Sequence, residues 1–243
     1  MFTLSRYFHE VNLLNAQHVL VLEDASLELI PKKFHSHKSC RIVFDRFGIP
    51  PWKQILDDNF HHEILKDTNE STKRGRPDIV HFALLDVTST PLYLEGMIQV
   101  VIHTIGNMTI KLKSGVRVPR TTQRFCGVIS KLLSNDLPRE NSLFEVIRWS
   151  NILELFSSLG SARIILLSRV GKLTRLKDFI EGEKSLEREK RVIWVVGGFP
   201  HGHFDENLVG ISDDTISISK RPLAAHVVTA RLSYDLESKM RIN

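Results

Sequence analysis

Cysteine is nearly absent: Cys40 and Cys126 are the only two in 243 residues. They lie far apart and neither has a C-x-x-C partner, which excludes a disulfide framework and a cysteine-built metal site and predicts a reducing compartment. The sequence leaves a single Cys40–Cys126 bridge open. Long apolar runs are missing too. None approaches the 18 or so residues that a membrane helix needs, and the opening MFTLSRYFHE carries charge too early for a signal peptide. The expectation is a cytoplasmic protein with no membrane partner. There is no internal repeat and no low-complexity tract. The familiar phosphate cradles are also lacking. Gly197-Gly198-Phe199-Pro200-His201-Gly202 is neither G-x-G-x-x-G nor a P-loop with its Lys-Ser/Thr ending, so a nucleotide held through its phosphates is not expected. Nor does one sign of charge dominate: 33 Lys and Arg against 28 Asp and Glu leave a formal charge of +5, so local clusters must carry any nucleic-acid argument.

What is present is ample apolar content, 42%, enough for one large domain or two modest ones. The chain is organised around Arg191 to Leu223. Val192 to Val196 is a β-branched and aromatic run that suits a strand buried on both faces, and Gly197, Gly198 and Gly202 follow at once. Glycines let the backbone turn sharply and lie against a bound molecule, although a tight turn without a ligand reads the same way. A second run, Thr215 to Ile218, leads into Ser219-Lys220-Arg221 and Pro222, whose fixed φ suits a helix start. Two strand ends with adjacent loops predict a pocket.

The remaining chain reads as alternating strands and helices, hence a parallel α/β sheet. Val19 to Leu22 is a strand, and Asp24 is placed as the N-cap of a helix over Ala25 to Ile30 that Pro31 stops. Arg41 to Phe44 reads as a short strand and Trp52 to Lys66 as a helix, with His61 and His62 as packing or surface residues. The polar stretch DTNESTKRGR delivers Arg76 just before Pro77, which opens a helix with Asp78 in its first turn. Met97 to Thr104 and Met108 to Leu112 form a hairpin about Ile105-Gly106-Asn107. Helical stretches are expected over Ser142 to Ser158, Leu173 to Ile180 and Leu223 to Tyr234, with a strand at Ile164 to Leu167 and a charged connection over Glu181 to Lys190. In GVRVPRTTQRFCGVISKLL a helix begun at Pro119 would bury Phe125, Ile129, Leu132 and Leu133 and align Arg120, Arg124 and Lys131 on a neighbouring stripe. No acidic residue occurs between Val116 and Asn135, which favours a phosphate-backbone path over an ordinary solvated face.

Four segments occur in an informative order: Gly75-Arg76-Pro77-Asp78-Ile79-Val80-His81, Arg117-Val118-Pro119-Arg120 through Arg124-Phe125, Val196-Gly197-Gly198-Phe199-Pro200-His201-Gly202, and Ile216-Ser217-Ile218-Ser219 with Pro222-Leu223. With them the chain resembles the ribosomal-RNA pseudouridine N1-methyltransferases, the ribosome-biogenesis branch of the SPOUT, or α/β-knot, methyltransferases, in their archaeal form. The likeness runs from Val19 to Leu232. It implies a SPOUT-type α/β knot with a C-terminal trefoil knot and an inserted β-rich extension, as one domain over residues 1–243. Within it, 1–16 would be an N-terminal extension, about 32–76 and 91–118 insertions around the core, and 162–234 the cofactor-binding knot region. It further implies S-adenosyl-L-methionine as cofactor, no metal, and small-subunit ribosomal RNA, a second copy of the chain and ribosome assembly factors as partners. By resemblance, Leu167, Gly197, Gly202, Ile218, Ser219, Lys220, Arg221, Pro222 and Leu223 contact the cofactor. Arg76, Arg117, Arg120 and Arg124 hold RNA, and Asp78 orients Arg76 rather than acting as the base. Two departures stand out: Ser89 occupies a position that is usually Asp in the family, and Lys220-Arg221 replaces a commonly uncharged pair. A non-catalytic RNA-binding assembly factor and a SPOUT methyltransferase of transfer RNA are the alternative readings.

Overall fold

The computed structural model describes residues 16–134, 136, 143–147, 151–158, 160–182 and 191–242. The expectations for all but the last residue of the N-terminal extension and for most of the charged connection before Arg191 lie outside them. Seven strands form one sheet: β1 His18–Ala25, β2 Ile98–Thr104, β3 Thr109–Leu112, β4 Phe144–Ile147, β5 Ala162–Leu173, β6 Arg191–Gly197 and β7 Asp214–Ser217. Their order is β4-β3-β2-β1-β6-β5-β7. The five strands from β2 to β7 in that order are mutually parallel, and β3 and β4 add antiparallel strands at one edge. This is the expected mixed α/β architecture with a β-rich addition.

The central strands are buried on both faces, so their side chains alternate between two apolar layers. Leu20, Leu22, Val192, Trp194 and Val196 face the larger layer. There helix α3 (Pro77–Val87) contributes Val80, Ala83, Leu84 and Val87, helix α5 (Thr122–Leu133) contributes Phe125 and Ile129, and helix α9 (Ala225–Met240) contributes Leu232 and Leu236. The four-residue α4 (Pro91–Leu94) and α7 (Leu176–Gly182) complete it. Val19, Val21, Ile193 and Val195 face the opposite layer, where α6 (Ile152–Ser158) and α8 (Glu206–Ile211) supply Leu155, Phe156 and Leu208. Helices α1 (Lys38–Phe47) and α2 (Asp58–Lys66) close a small satellite core of Ile30, Cys40, Leu56, Ile64 and Leu65. Both cysteines are free thiols.

Several local expectations are corrected. Residues 25–30 are not helical: Asp24 takes a left-handed φ of 51°, and the next backbone groups are claimed from afar, Leu56 N–H donating to Glu28 O and Ile30 N–H to Gln54 O. Arg41–Phe44 is helix rather than strand, because His37 caps the Ser39 N–H and Cys40 and Val43, one turn apart, are both buried. Residues 144–147 are a strand because their backbone pairs with the exposed edge of β3. Helix α5 starts at Thr122, capped by the Thr121 hydroxyl, so Pro119 and Arg120 precede it. Pro222 likewise lies ahead of α9. β5 runs on through Leu173 instead of yielding to a helix there. It pairs with β7 on both sides of an irregular stretch, at Leu167↔Ile216 and Lys172↔Ile216, and a Cβ at Gly171 would sit 2.6 Å from the Thr215 and Ile216 backbone. Only glycine allows that crossing.

Candidate active site

A cavity of about 580 Å³ opens at the carboxyl ends of β6 and β7 and beside Leu167, Ser168 and Arg169 of β5. Ligands in open α/β sheets bind there, because the loops leaving parallel strands diverge and bare their backbone groups. Leu167 and Val196 form its apolar floor, with Ile218 and Leu223 above. One wall is the first two turns of α3, with Asp78, Ile79 and Phe82, and the other is the start of α9, with Ala225, His226 and Val228. Of the nine residues expected against the cofactor, eight line this cavity: Leu167, Gly197, Gly202, Ile218, Ser219, Arg221, Pro222 and Leu223. Lys220 does not. The Ser219 hydroxyl accepts the Arg221 N–H at 3.0 Å, and this turn leaves Arg221 on the cavity and Lys220 exposed.

Gly202 ends the glycine loop at φ 123°, a conformation essentially closed to other residues. A Cβ there would also meet the Lys73 side chain at 3.2 Å. Lys73 fastens this loop from behind: its ammonium lies 4.9 Å above the Phe199 ring and donates to Asp24 Oδ2 at 2.6 Å. Arg74 pairs with Glu28, and the Arg76 N–H donates to Ser26 Oγ at 2.8 Å. Segment 73–76 is thus tied to the chain leaving β1 by three polar contacts, all of them half-buried.

Those contacts aim Arg76 at the cavity. Its guanidinium forms two parallel 2.8 Å bonds to Asp78, Nε to Oδ1 and Nη2 to Oδ2. Burial pushes the Asp78 carboxyl up, but the hydrogen bonds and charge of Arg76 outweigh it and hold the group below the usual carboxylate range. Asp78 is therefore ionised and engaged. Arg117, Arg120 and Arg124 do not line the cavity and are exposed. Their segment is pinned to α3 by His81, which is fully buried and stacked on Phe125 with ring centroids 4.8 Å apart. His81 Nε2 lies 2.6 Å from the Pro119 carbonyl, so it donates there, and Nδ1 accepts from the Thr122 hydroxyl at 3.0 Å. One helix thus carries the cavity wall on one side and the basic segment on another. Cys126 on α5 is no nucleophile: burial, aided by Asp57 and Asp78, pushes its thiol up to about 12.

Phe82, Arg169, His201 and His226 also line the cavity. His201 stood inside the glycine motif, and Arg169 comes just after Ser168, past the strand read at Ile164 to Leu167. Phe82 and His226, whose rings meet edge to face at 6.1 Å, carried no sequence signal, because each looks like an ordinary helix residue until α3 and α9 are packed together. Among the described residues no three His, Cys, Asp or Glu side chains gather as a metal site would require.

Three comparisons with known proteins agree. The family model described as EMG1/NEP1 methyltransferase matches residues 20–237. The ribosomal RNA small subunit methyltransferase Nep1 of Thermococcus sibiricus is 32% identical over 222 residues, covering 91% of this chain and 98% of that protein. Its counterpart from Sulfurisphaera tokodaii is 34% identical over 216 residues, 88% of this chain and 93% of that protein. Among solved structures, Archaeoglobus fulgidus Nep1 bound to S-adenosylhomocysteine superposes with a TM-score of 0.78 at 28% identity, covering 92% of this chain and 99% of that one.

Proposed function

The chain belongs to the EMG1/NEP1 methyltransferase family, and from that premise we propose its reaction: transfer of a methyl group from S-adenosylmethionine to N1 of a pseudouridine in small-subunit ribosomal RNA. The methyl donor and the class of RNA come with the family. The base and the atom rest on the motifs and on bonding. Pseudouridine is joined to ribose through carbon, so its N1 keeps a hydrogen and can accept a methyl group, whereas N1 of uridine is already the glycosidic atom.

The observation that supports the reading is that Arg76, expected from the sequence to hold RNA, lines the same cavity as eight of the nine residues expected against the cofactor. The cavity suits this donor. Leu167, Val196, Ile218 and Leu223 offer apolar surface to an adenine ring, and the backbone at Gly197 and at Ser217–Ser219 offers hydrogen bonds to polar edges. When bound, S-adenosylmethionine supplies a methyl group on a cationic sulfur, so positioning and exclusion of water provide most of the acceleration. Arg76 holds the RNA, and its charge favours the anionic ring that forms as the N1 proton leaves to solvent. Asp78 keeps Arg76 in place and, being ionised and doubly bonded, is not the acceptor of that proton. Arg117, Arg120 and Arg124 extend the grip along the phosphate backbone.

Three finer points complete the proposal. The crossing of β5 and β7 at Gly171 is read as part of a trefoil knot. A second copy of the chain covers exposed apolar surface such as Val170 and Leu173 on β5 and Tyr234 on α9. The protein acts in the cytoplasm, on RNA still being assembled with other factors.

The test is transfer of labelled methyl to two RNA hairpins identical except for uridine or pseudouridine in the loop. Label in the pseudouridine hairpin alone, placed on N1 by mass fragmentation, is expected. Tight, salt-sensitive binding of both without transfer would instead make the protein an assembly clamp, and a preference for transfer-RNA stem-loops would change the substrate.

A further inference from the structure

Beside the large cavity lies a second cleft of about 250 Å³ that the reaction above leaves unused. Helix α2 forms one side: Asp58, His62, Leu65 and Lys66 fall on one face at helical spacing. The loop carrying Ser71, Thr72 and Arg74 forms the other side. Arg76, Pro200 and His201 line both the cleft and the large cavity, so the two are one continuous surface divided at Arg76.

We propose that this cleft is a second nucleotide pocket, which receives the base next to the methylated one on the same RNA strand and selects cytosine or adenine, whose amino group stands where uracil has a carbonyl. The inference rests on the RNA reading given above. A strand with one base unstacked into the large cavity carries its backbone across Arg76, and the neighbouring base then falls where His62, Pro200 and His201 offer stacking surface. The cleft's chemistry matches a base edge. The Arg74 and Arg76 side chains that line the cleft are held by Glu28 and Asp78, so both are fixed in its wall. The Ser71 and Thr72 hydroxyls serve as donors or acceptors. Asp58 accepts from His62 Nδ1 through Oδ1 at 2.7 Å, which fixes the carboxylate and leaves Oδ2 to accept from a ligand. An ionised carboxylate can only accept. It therefore pairs with the amino group of cytosine or adenine and is repelled by the O4 carbonyl that uracil presents at the same place. The Lys66 ammonium, exposed at the mouth, suits the next phosphate.

The experiment uses short single-stranded RNAs with a central pseudouridine whose neighbour on each side is in turn cytosine, adenine, uracil or an abasic spacer. Binding is measured with S-adenosylhomocysteine present, and KM and kcat are measured for methyl transfer. On one side only, the abasic spacer should weaken binding about tenfold or more, and uracil should bind roughly tenfold more weakly than cytosine or adenine. Asp58→Ala should erase the preference against uracil while the penalty for the abasic spacer remains. Thr72→Trp, which fills the cleft, should erase both. Affinity for S-adenosylhomocysteine within twofold of wild type shows that each variant is folded with its large cavity intact. Equal binding of all neighbours, or preferences that survive both substitutions, overturns the proposal. If the RNAs bind and are methylated without regard to the neighbour, the pocket alone fails; if none binds, the RNA reading fails and takes the pocket with it.

Discussion

Gly202 concentrates two constraints on one residue, a φ of 123° and a contact with Lys73. Gly202→Val should therefore displace the glycine loop and weaken S-adenosylhomocysteine binding by about tenfold to a hundredfold, the strain of such a conformation being roughly 1–3 kcal/mol. Titration calorimetry measures this, with RNA affinity changed much less. Arg76→Ala should do the reverse, weakening RNA binding about tenfold and leaving cofactor affinity within twofold. Two buried histidines add a pH dependence. Burial lowers His18 and His61 to about 4; His18 accepts from the Trp194 indole at 3.2 Å, and His61 accepts the Asp57 N–H through Nδ1. Both are neutral when folded and take up a proton on unfolding below about 6.5, so the stability they contribute is complete above that pH and is lost as pH falls towards about 4. Urea midpoints should fall between pH 7 and pH 5, and His18→Gln should flatten part of that slope. At this scale the sequence was most informative where a residue type has few uses. Glycine pairs after an apolar run, and arginines without nearby acids, pointed to the cavity and the basic segment; His226 and Phe82 have many uses and stayed silent.

Among the elements, α3 does most to unite the site. Its Pro77 start and Asp78 were legible because proline and a first-turn carboxylate have specific places in a helix. Its partnership with residues 117–124 was not, since that depends on His81 reaching the Pro119 carbonyl across 38 positions. His81→Phe should keep the stacking on Phe125 and lose both hydrogen bonds. The expected result is RNA binding weaker by about tenfold, with a salt dependence shallower by about one released counterion, while cofactor affinity is unchanged. Filter binding across a salt series reads both quantities. Two of the elements misjudged from sequence share a cause. Residues 25–30 and 41–44 are short, and for such segments tertiary hydrogen bonds or a small satellite core outweigh intrinsic preference.

For the whole molecule, alternating strands and helices announced a parallel sheet, but not the order β4-β3-β2-β1-β6-β5-β7, because pairing between distant strands leaves no trace in local periodicity. The same holds for the cavity, whose walls come from four separated segments. Assembly state belongs to this scale as well. Light scattering should give twice the chain mass of 27.8 kDa. Val170→Asp, at a side chain 64% exposed, should shift the protein towards the monomer without unfolding it.

The cavity's walls also set a timetable. A growing polypeptide presents Arg76 and the basic segment to the cell well before Ser217–Val228 has been made, yet those later residues supply the turn at Ser219 and the wall at His226. On the proposed assignment of the site, a half-made chain is expected to attract RNA by charge but not to hold the methyl donor. Ribosomes stalled before Ser217 should carry nascent chains that bind RNA and not the donor, so modification waits for the translating ribosome to move past that point.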